Sequence, residues 1–191
     1  MLKSEIIYRE MLEHSSERQT QLKLSKVLGF SLSTVNNAFK PLVSMGAVKI
    51  LPRGFKIADK EKLFLYWANV RNLEKDIVYS TRVDALPSAI EKSMSPDIVY
   101  TAYSAFKFTF KSVPADYSEI YVYSENVEAI KKRFPFKQGP PNLFVLRQDP
   151  RLSALAKNNI APLSQVFVDL WNLKEWYAKE FVNELKVKLY G

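Results

Sequence analysis

Apolar positions recur at helical spacing through the first part of the chain and give way to short alternating runs beyond it. Ser4 to Glu13 predicts a first helix with Ile6, Ile7, Met11 and Leu12 inward. His14 to Gln19 is a polar connection, and Thr20 or a neighbour starts a second helix in which Leu24, Val27 and Leu28 share a side. Gly29 stands where a tight turn needs positive φ. Phe30 fills the corner, and Ser31 takes the N-cap position of a third helix, with Thr34 three residues on. That helix, Leu32 to Met45, has two faces. Val35, Ala38, Phe39 and Leu42 face a core, while Ser33, Asn36, Asn37, Lys40 and Ser44 form one polar stripe at i, i+3, i+4, i+7 and i+11. Pro41 lies inside the helix and removes one of its hydrogen bonds, which bears on the reach of Lys40 and Ser44.

A short ribbon follows. Ala47 to Leu51 reads as a strand, Pro52-Arg53-Gly54 as turn chemistry, and Phe55 to Ala58 alternates back. Asp59 then caps a helix, KEKLFLYWANVRNL. Leu63, Trp67 and Val70, with Phe64 and Tyr66, make it apolar over more than half its girth, so it needs a cover. The rest of the chain or a second copy would supply one.

From Asp76 short strands and helices alternate. Strands are expected at 77–80, 97–100, 118–124 (with Ile120 and Val122 on one face) and 143–147. Residues 84–94 read as a loop and short helix, and 126–133 as a helix ended by Phe134-Pro135. Residues 101–110 are ambiguous: small residues at Ala102 and Ala105 favour a helix, the reading taken here, while FKFTF alternates like a strand. Asp149-Pro150 breaks the last strand, and Pro162 opens a helix at its first position. Residues 173–189 continue or restart it, with Trp176, Tyr177, Phe181, Leu185 and Leu189 as an apolar stripe. The expected class is α+β. An N-terminal domain is expected over 1–58, a linking helix over 59–75, and over 76–191 a C-terminal mixed α/β domain that would serve dimerisation, a partner or a ligand.

Composition narrows the chemistry. With 191 residues, 47% of them hydrophobic, the chain can bury a proper core. No apolar run approaches the ~20 residues of a membrane span, and the N-terminus reads as an amphipathic helix with acids rather than an export signal. No membrane association and a cytoplasmic location are expected. Zero Cys leaves no thiol ligands, and the single His, His14, sits among Glu13, Ser15 and Ser16, so no cofactor and no metal are expected. With five Gly in the whole chain there is no glycine-rich phosphate loop.

Charge gives the polar stripe its context. From His14 to Ile57, seven cations (Arg18, Lys23, Lys26, Lys40, Lys49, Arg53 and Lys56) face one acid, Glu17, which places +6 of the chain's +8 in one small domain. A solvated helix face has the same polar pattern, but this concentration of positive charge is the footprint of a phosphate-binding surface. Asn carries a donor and an acceptor in one amide plane and pairs with adenine in the major groove, while Ser, Thr and Lys reach phosphates or base edges.

The run LSKVLGFSLSTVNNAFKPLVSMGAVKI, with its apolar helix, Gly turn, Ser-x-Ser-Thr-Val, second apolar helix and Gly-apolar-Val strand, resembles the winged helix-turn-helix transcriptional regulators over about the first third of the chain. Pro41 departs from that pattern. The resemblance implies a winged helix-turn-helix domain that binds double-stranded DNA, with Arg53 at the wing tip, acting as a dimeric repressor. Asn36 and Asn37 would read bases, and Ser33 and Thr34 would contact bases or phosphates. Lys26, Lys40, Lys49, Arg53 and Lys56 would hold the backbone.

A fainter likeness of order and texture runs from YTAYSAFKFTF through DYSEIYVYSE to APLSQVFVDLWNLKEWYAKEF. It is similar to the C-terminal domain of AbiEi-type antitoxin regulators of type IV toxin–antitoxin systems. That implies repression of the chain's own promoter and a toxin partner, and carries over no residue roles. The alternative from another class is a protein-interaction adaptor or antitoxin whose main partner is another protein. A nucleic-acid enzyme is the weaker rival, and no enzyme is expected. Ser118-Glu119 has Tyr121 where a nucleotidyltransferase has its second carboxylate, and nothing in the spacing brings Asp116, Glu119 and Lys107 together. Asp169, beside Trp171, Asn172 and Trp176, marks either a pocket or a core helix.

Overall fold

Three short polar side chains set the start of three helices in the first part of the molecule. Thr20 Oγ1 accepts the Lys23 N–H at 3.0 Å, Ser31 Oγ that of Thr34 at 3.1 Å, and Asp59 Oδ1 that of Lys62 at 2.9 Å. Each satisfies a donor that the first helical turn leaves orphaned. The helices that follow are α2 (Gln21–Leu28), α3 (Leu32–Ser44) and α4 (Lys60–Val70), preceded by α1 (Lys3–Glu13). The computed structural model describes residues 1–16 and 19–190. It is mixed α+β with two small sheets, and divides into two compact units, Met1–Arg71 and Asn72–Leu189. The stretch expected as a linking helix, 59–75, is therefore divided: α4 belongs to the first unit, and the 3₁₀ turn Glu74–Asp76 to the second.

In the first unit α2 ends at Gly29, whose φ of 65° closes the turn into α3. Val35, Ala38, Phe39 and Leu42 are buried as the helical period requires. Pro41 sits inside α3, which runs on as one helix to Ser44. Two strands follow, β1 (Val48–Leu51) and β2 (Gly54–Ile57). They pair antiparallel through the two-residue turn Pro52-Arg53. Phe55 packs edge-on against Phe39, with ring centroids 4.7 Å apart, and its N–H bonds Gln19 O at 3.3 Å, so the segment before α2 lies along β2.

Two expectations for this unit change. Val27 is 46% exposed, leaving Leu24 as the buried residue of α2. Ile6 is half-buried, and α1 instead buries Glu5, Arg9 and Glu10 beside Ile7, Tyr8, Met11 and Leu12. The reason is α4. Glu5 accepts from Trp67 Nε1 and Arg71 Nη1, both at 3.3 Å, and Tyr8 meets Tyr66 edge-on at 5.8 Å. The apolar side of α4 (Leu63, Phe64, Trp67 and Ala68) is thus covered within its own unit.

The second unit is built on a four-stranded sheet in the order β3 (Ile77–Thr81), β6 (Leu143–Arg147), β5 (Ile120–Ser124) and β4 (Ile98–Tyr100). The central strands β5 and β6 are parallel, and both outer pairs are antiparallel. A parallel pair needs a crossover, here carrying α7 (Val127–Arg133), which Asn126 caps. Ile120, Val122, Leu143 and Val145 face one way and pack with Ile90 of α5 (Pro87–Lys92) and Ile130 of α7. Tyr121 and Tyr123 face the other way, toward α6 (Ala102–Phe110) and α9 (Leu163–Trp171).

The ambiguous stretch 101–110 is helical, as expected. Asp149 and Pro150 do more than break β6. Asp149 caps α8 (Pro150–Leu155), accepting the Leu152 N–H at 3.0 Å. Pro162 is the N-cap of α9 rather than its first residue. Trp176 is no part of an apolar stripe, because α10 (Ala178–Tyr190) begins after it and it is 76% exposed.

Candidate nucleic-acid interface

From Gln19 to Ala58 the chain carries six cations and no carboxylate. Glu17 and Arg18, which enter the wider charge balance, lie outside the described residues. Ser33, Asn36, Asn37 and Lys40 are exposed on α3 and share the face opposite Val35, Ala38 and Leu42. Thr34 differs. It is half-buried, and its hydroxyl shares a 2.9 Å hydrogen bond with Ser31 Oγ, so it serves the start of the helix.

Lys26 is exposed in the last turn of α2, which packs on α3. The ribbon register sets Lys49 directly opposite Lys56, both exposed, with Arg53 exposed in the turn beyond them. Like charges directly opposite on a two-stranded ribbon repel. Among the described residues, none of Lys26, Lys40, Lys49, Arg53 and Lys56 has a carboxylate partner. Such a pair is relieved by an anion held between or above the two ammonium groups, and the turn adds a guanidinium able to grip two phosphate oxygens at once.

The expected residues are thus assembled in three groups: the α3 face, the end of α2, and the ribbon. What the sequence reading passed over is apolar. Leu32 and Val43 are 42% and 41% exposed on α3, and Leu22, Val27, Ile50 and Leu51 are exposed on the neighbouring elements. Helical spacing alone would have found the first two, since both fall within about 40° of Asn36 around the axis. Comparison with protein-family models, with curated proteins and with solved structures gives no match for this chain.

The other residues weighed for chemistry lie elsewhere. Asp169 is fully buried and accepts from Thr101 Oγ1 and Tyr123 OH, both at 2.7 Å, and from Gln165 Nε2 at 3.0 Å. It is a core carboxylate that accepts three hydrogen bonds. Lys107 is not grouped with Asp116 and Glu119. Its ammonium lies 2.6 Å from Glu91, a buried carboxylate that also accepts from Ser104 and Tyr117. Glu119 accepts from Ser118 and Tyr177. His14 lies 3.3 Å from Glu10. Among the described residues no cluster of His, Asp and Glu is arranged to hold a metal ion, and no helix is long and apolar enough to cross a membrane.

Proposed function

We propose that the chain is a sequence-specific DNA-binding transcriptional regulator, acting as a cytoplasmic repressor through an N-terminal winged helix-turn-helix. The observation that supports this is the exposed Asn/Ser face of α3 together with Lys26 of α2 and Lys49, Arg53 and Lys56 of the β1–β2 ribbon, none of them paired with a carboxylate among the described residues, in a stretch that contains no carboxylate. In this function α3 enters the major groove. Asn36 and Asn37 meet base edges, Ser33 meets bases or phosphates, and Lys26, Lys40, Lys49, Arg53 and Lys56 hold the phosphate backbone. The second unit would bind a partner, a toxin among the candidates, or a second copy of the chain. A homodimer places two reading helices on a two-fold-symmetric operator. The case for it is that symmetry, because α4 needs no second copy to cover it.

The test is a pair of substitutions in the full chain. Asn36→Ala should cost roughly 1–3 kcal/mol on the specific duplex and leave random duplex unaffected, whereas Arg53→Ala should weaken binding to all sequences and flatten the salt slope by about one. Equal losses on specific and random duplex for Asn36→Ala would remove its base-reading role.

A second function, as a protein adaptor, is favoured by the exposed apolar residues Leu22, Val27, Ile50 and Leu51 on the same elements and by Trp176 in the second unit. It predicts binding to duplex that is weak and blind to sequence.

A further inference from the structure

Viewed down its axis at about 100° per residue, α3 exposes an arc of roughly 140°. Leu32 and Asn36 lie at one edge, Lys40 and Ser33 in the middle, and Asn37 at the other edge, all exposed. Leu32 is the first residue of the helix and is 42% exposed, with Asn36 one turn on along the same edge. The helix has no Arg, no Gln and no acid.

Each base asks a different group of a side chain in the major groove. Guanine asks two donors on one group, supplied best by Arg and also by Lys. The cytosine amino group asks a carboxylate. Adenine asks a carboxamide that accepts from N6 and donates to N7, and thymine asks an apolar surface for its methyl group. The exposed arc holds two carboxamides, two serine hydroxyls and two aliphatic side chains, Leu32 at the start of the helix and Val43 near its end, with no guanidinium and no carboxylate. Its one cation, Lys40, is one turn further along the helix than Asn36.

We propose that this face selects A·T base pairs, with Asn36 pairing an adenine edge and Leu32 packing on the methyl group of a neighbouring thymine. Leu32 and Asn36, one turn apart on the same edge, read adjacent positions. Ser33 donates to either purine or to thymine O4, and Asn37 carries a second carboxamide across the arc. The surrounding cations supply affinity that is blind to sequence, so the choice of base pair falls to these side chains. The inference rests on the DNA-reading function proposed above.

The experiment selects duplexes from a random pool with the full-length chain, then alters the selected duplex without touching its phosphates. The expected core is A·T-rich. Exchanging a read A·T pair for G·C should lower affinity roughly 5- to 150-fold. Replacing one thymine with uracil, which removes only the methyl group, should lower it about fourfold for the wild-type chain and leave Leu32→Ala unchanged. Replacing the paired adenine with 7-deazaadenine should lower it for the wild type and leave Asn36→Ala unchanged. The salt slope should be the same throughout. A G·C-rich core, or affinity insensitive to both uracil and 7-deazaadenine, overturns this inference while leaving the DNA-binding function standing. Failure to enrich any duplex over the starting pool at every salt concentration overturns both.

Discussion

Gly54 shows how one residue can fix the ribbon. Its φ is 135°, a backbone state that side chains resist, and a Cβ built there would lie 2.3 Å from Gln19 O. Gly29, at φ 65°, has nothing within 4 Å of such a Cβ. Alanine should therefore cost about 1–2 kcal/mol at Gly29, the penalty of the left-handed conformation alone. At Gly54 it should cost more, because the backbone of Gln19 must also move. Urea unfolding of the two variants checks the order, and equal losses would mean that the Gln19 contact relaxes freely. Thr34 is the other residue whose part depends on its surroundings. Its type suits DNA contact, but its hydroxyl is spent on Ser31 at the start of α3.

At the level of elements, α1 and α4 are held by a polar clamp inside an apolar interface. Glu5 and Arg71 are almost fully buried, and Trp67 donates to the same carboxylate oxygen. Removing one partner of a buried ion pair strands the other, so Glu5→Ala should destabilise the first unit by about 3–5 kcal/mol, read by Trp67 fluorescence during unfolding. A loss below about 1 kcal/mol would place the clamp in solvent.

Nothing in the sequence announces this pair. Glu5 and Arg71 are 66 positions apart and each has the charge of an ordinary surface residue. α3 is the opposite case. Ser31, Gly29 and the run Val35, Ala38, Phe39 and Leu42 are local signals, and local hydrogen bonding and helical period fix its start and its faces. The polar stripe was legible for the same reason. The exposed Leu32 was not, because apolar residues are expected to be buried and only the helical wheel puts it outside. Residues 173–189 misled in the same way. Aromatic spacing suggested one stripe, but the helix starts at Ala178 and leaves Trp176 out. The parallel pairing of β5 with β6 is a tertiary choice that periodicity does not encode.

At the scale of the molecule, the tyrosines of the second unit make its stability a function of pH. Burial raises the Tyr100 and Tyr177 hydroxyls to about 12, with the nearby Glu91 and Glu119 carboxylates adding to the effect. Burial pushes Tyr103, Tyr117 and Tyr121 further still. An unfolded chain releases these protons from about pH 10. Between about pH 10 and 12 it therefore binds fewer protons than the folded chain, and stability falls as pH rises. Below pH 10 this contribution is fully present. Circular dichroism and tyrosinate absorbance followed together should show the two changing in one step. Ionisation of all ten tyrosines with the fold intact would contradict the burial. The proposed function rests on the other unit, where the stretch from Gln19 to Ala58 carries six cations, no carboxylate and the exposed polar face of α3. The measurement that tests it most directly is binding of the full chain to the duplex upstream of its own coding region and to random duplex, across a salt series. Tighter binding to the upstream duplex, with affinity for both falling steeply as salt rises, is the predicted result. Equal and weak binding to both duplexes at every salt concentration would contradict it.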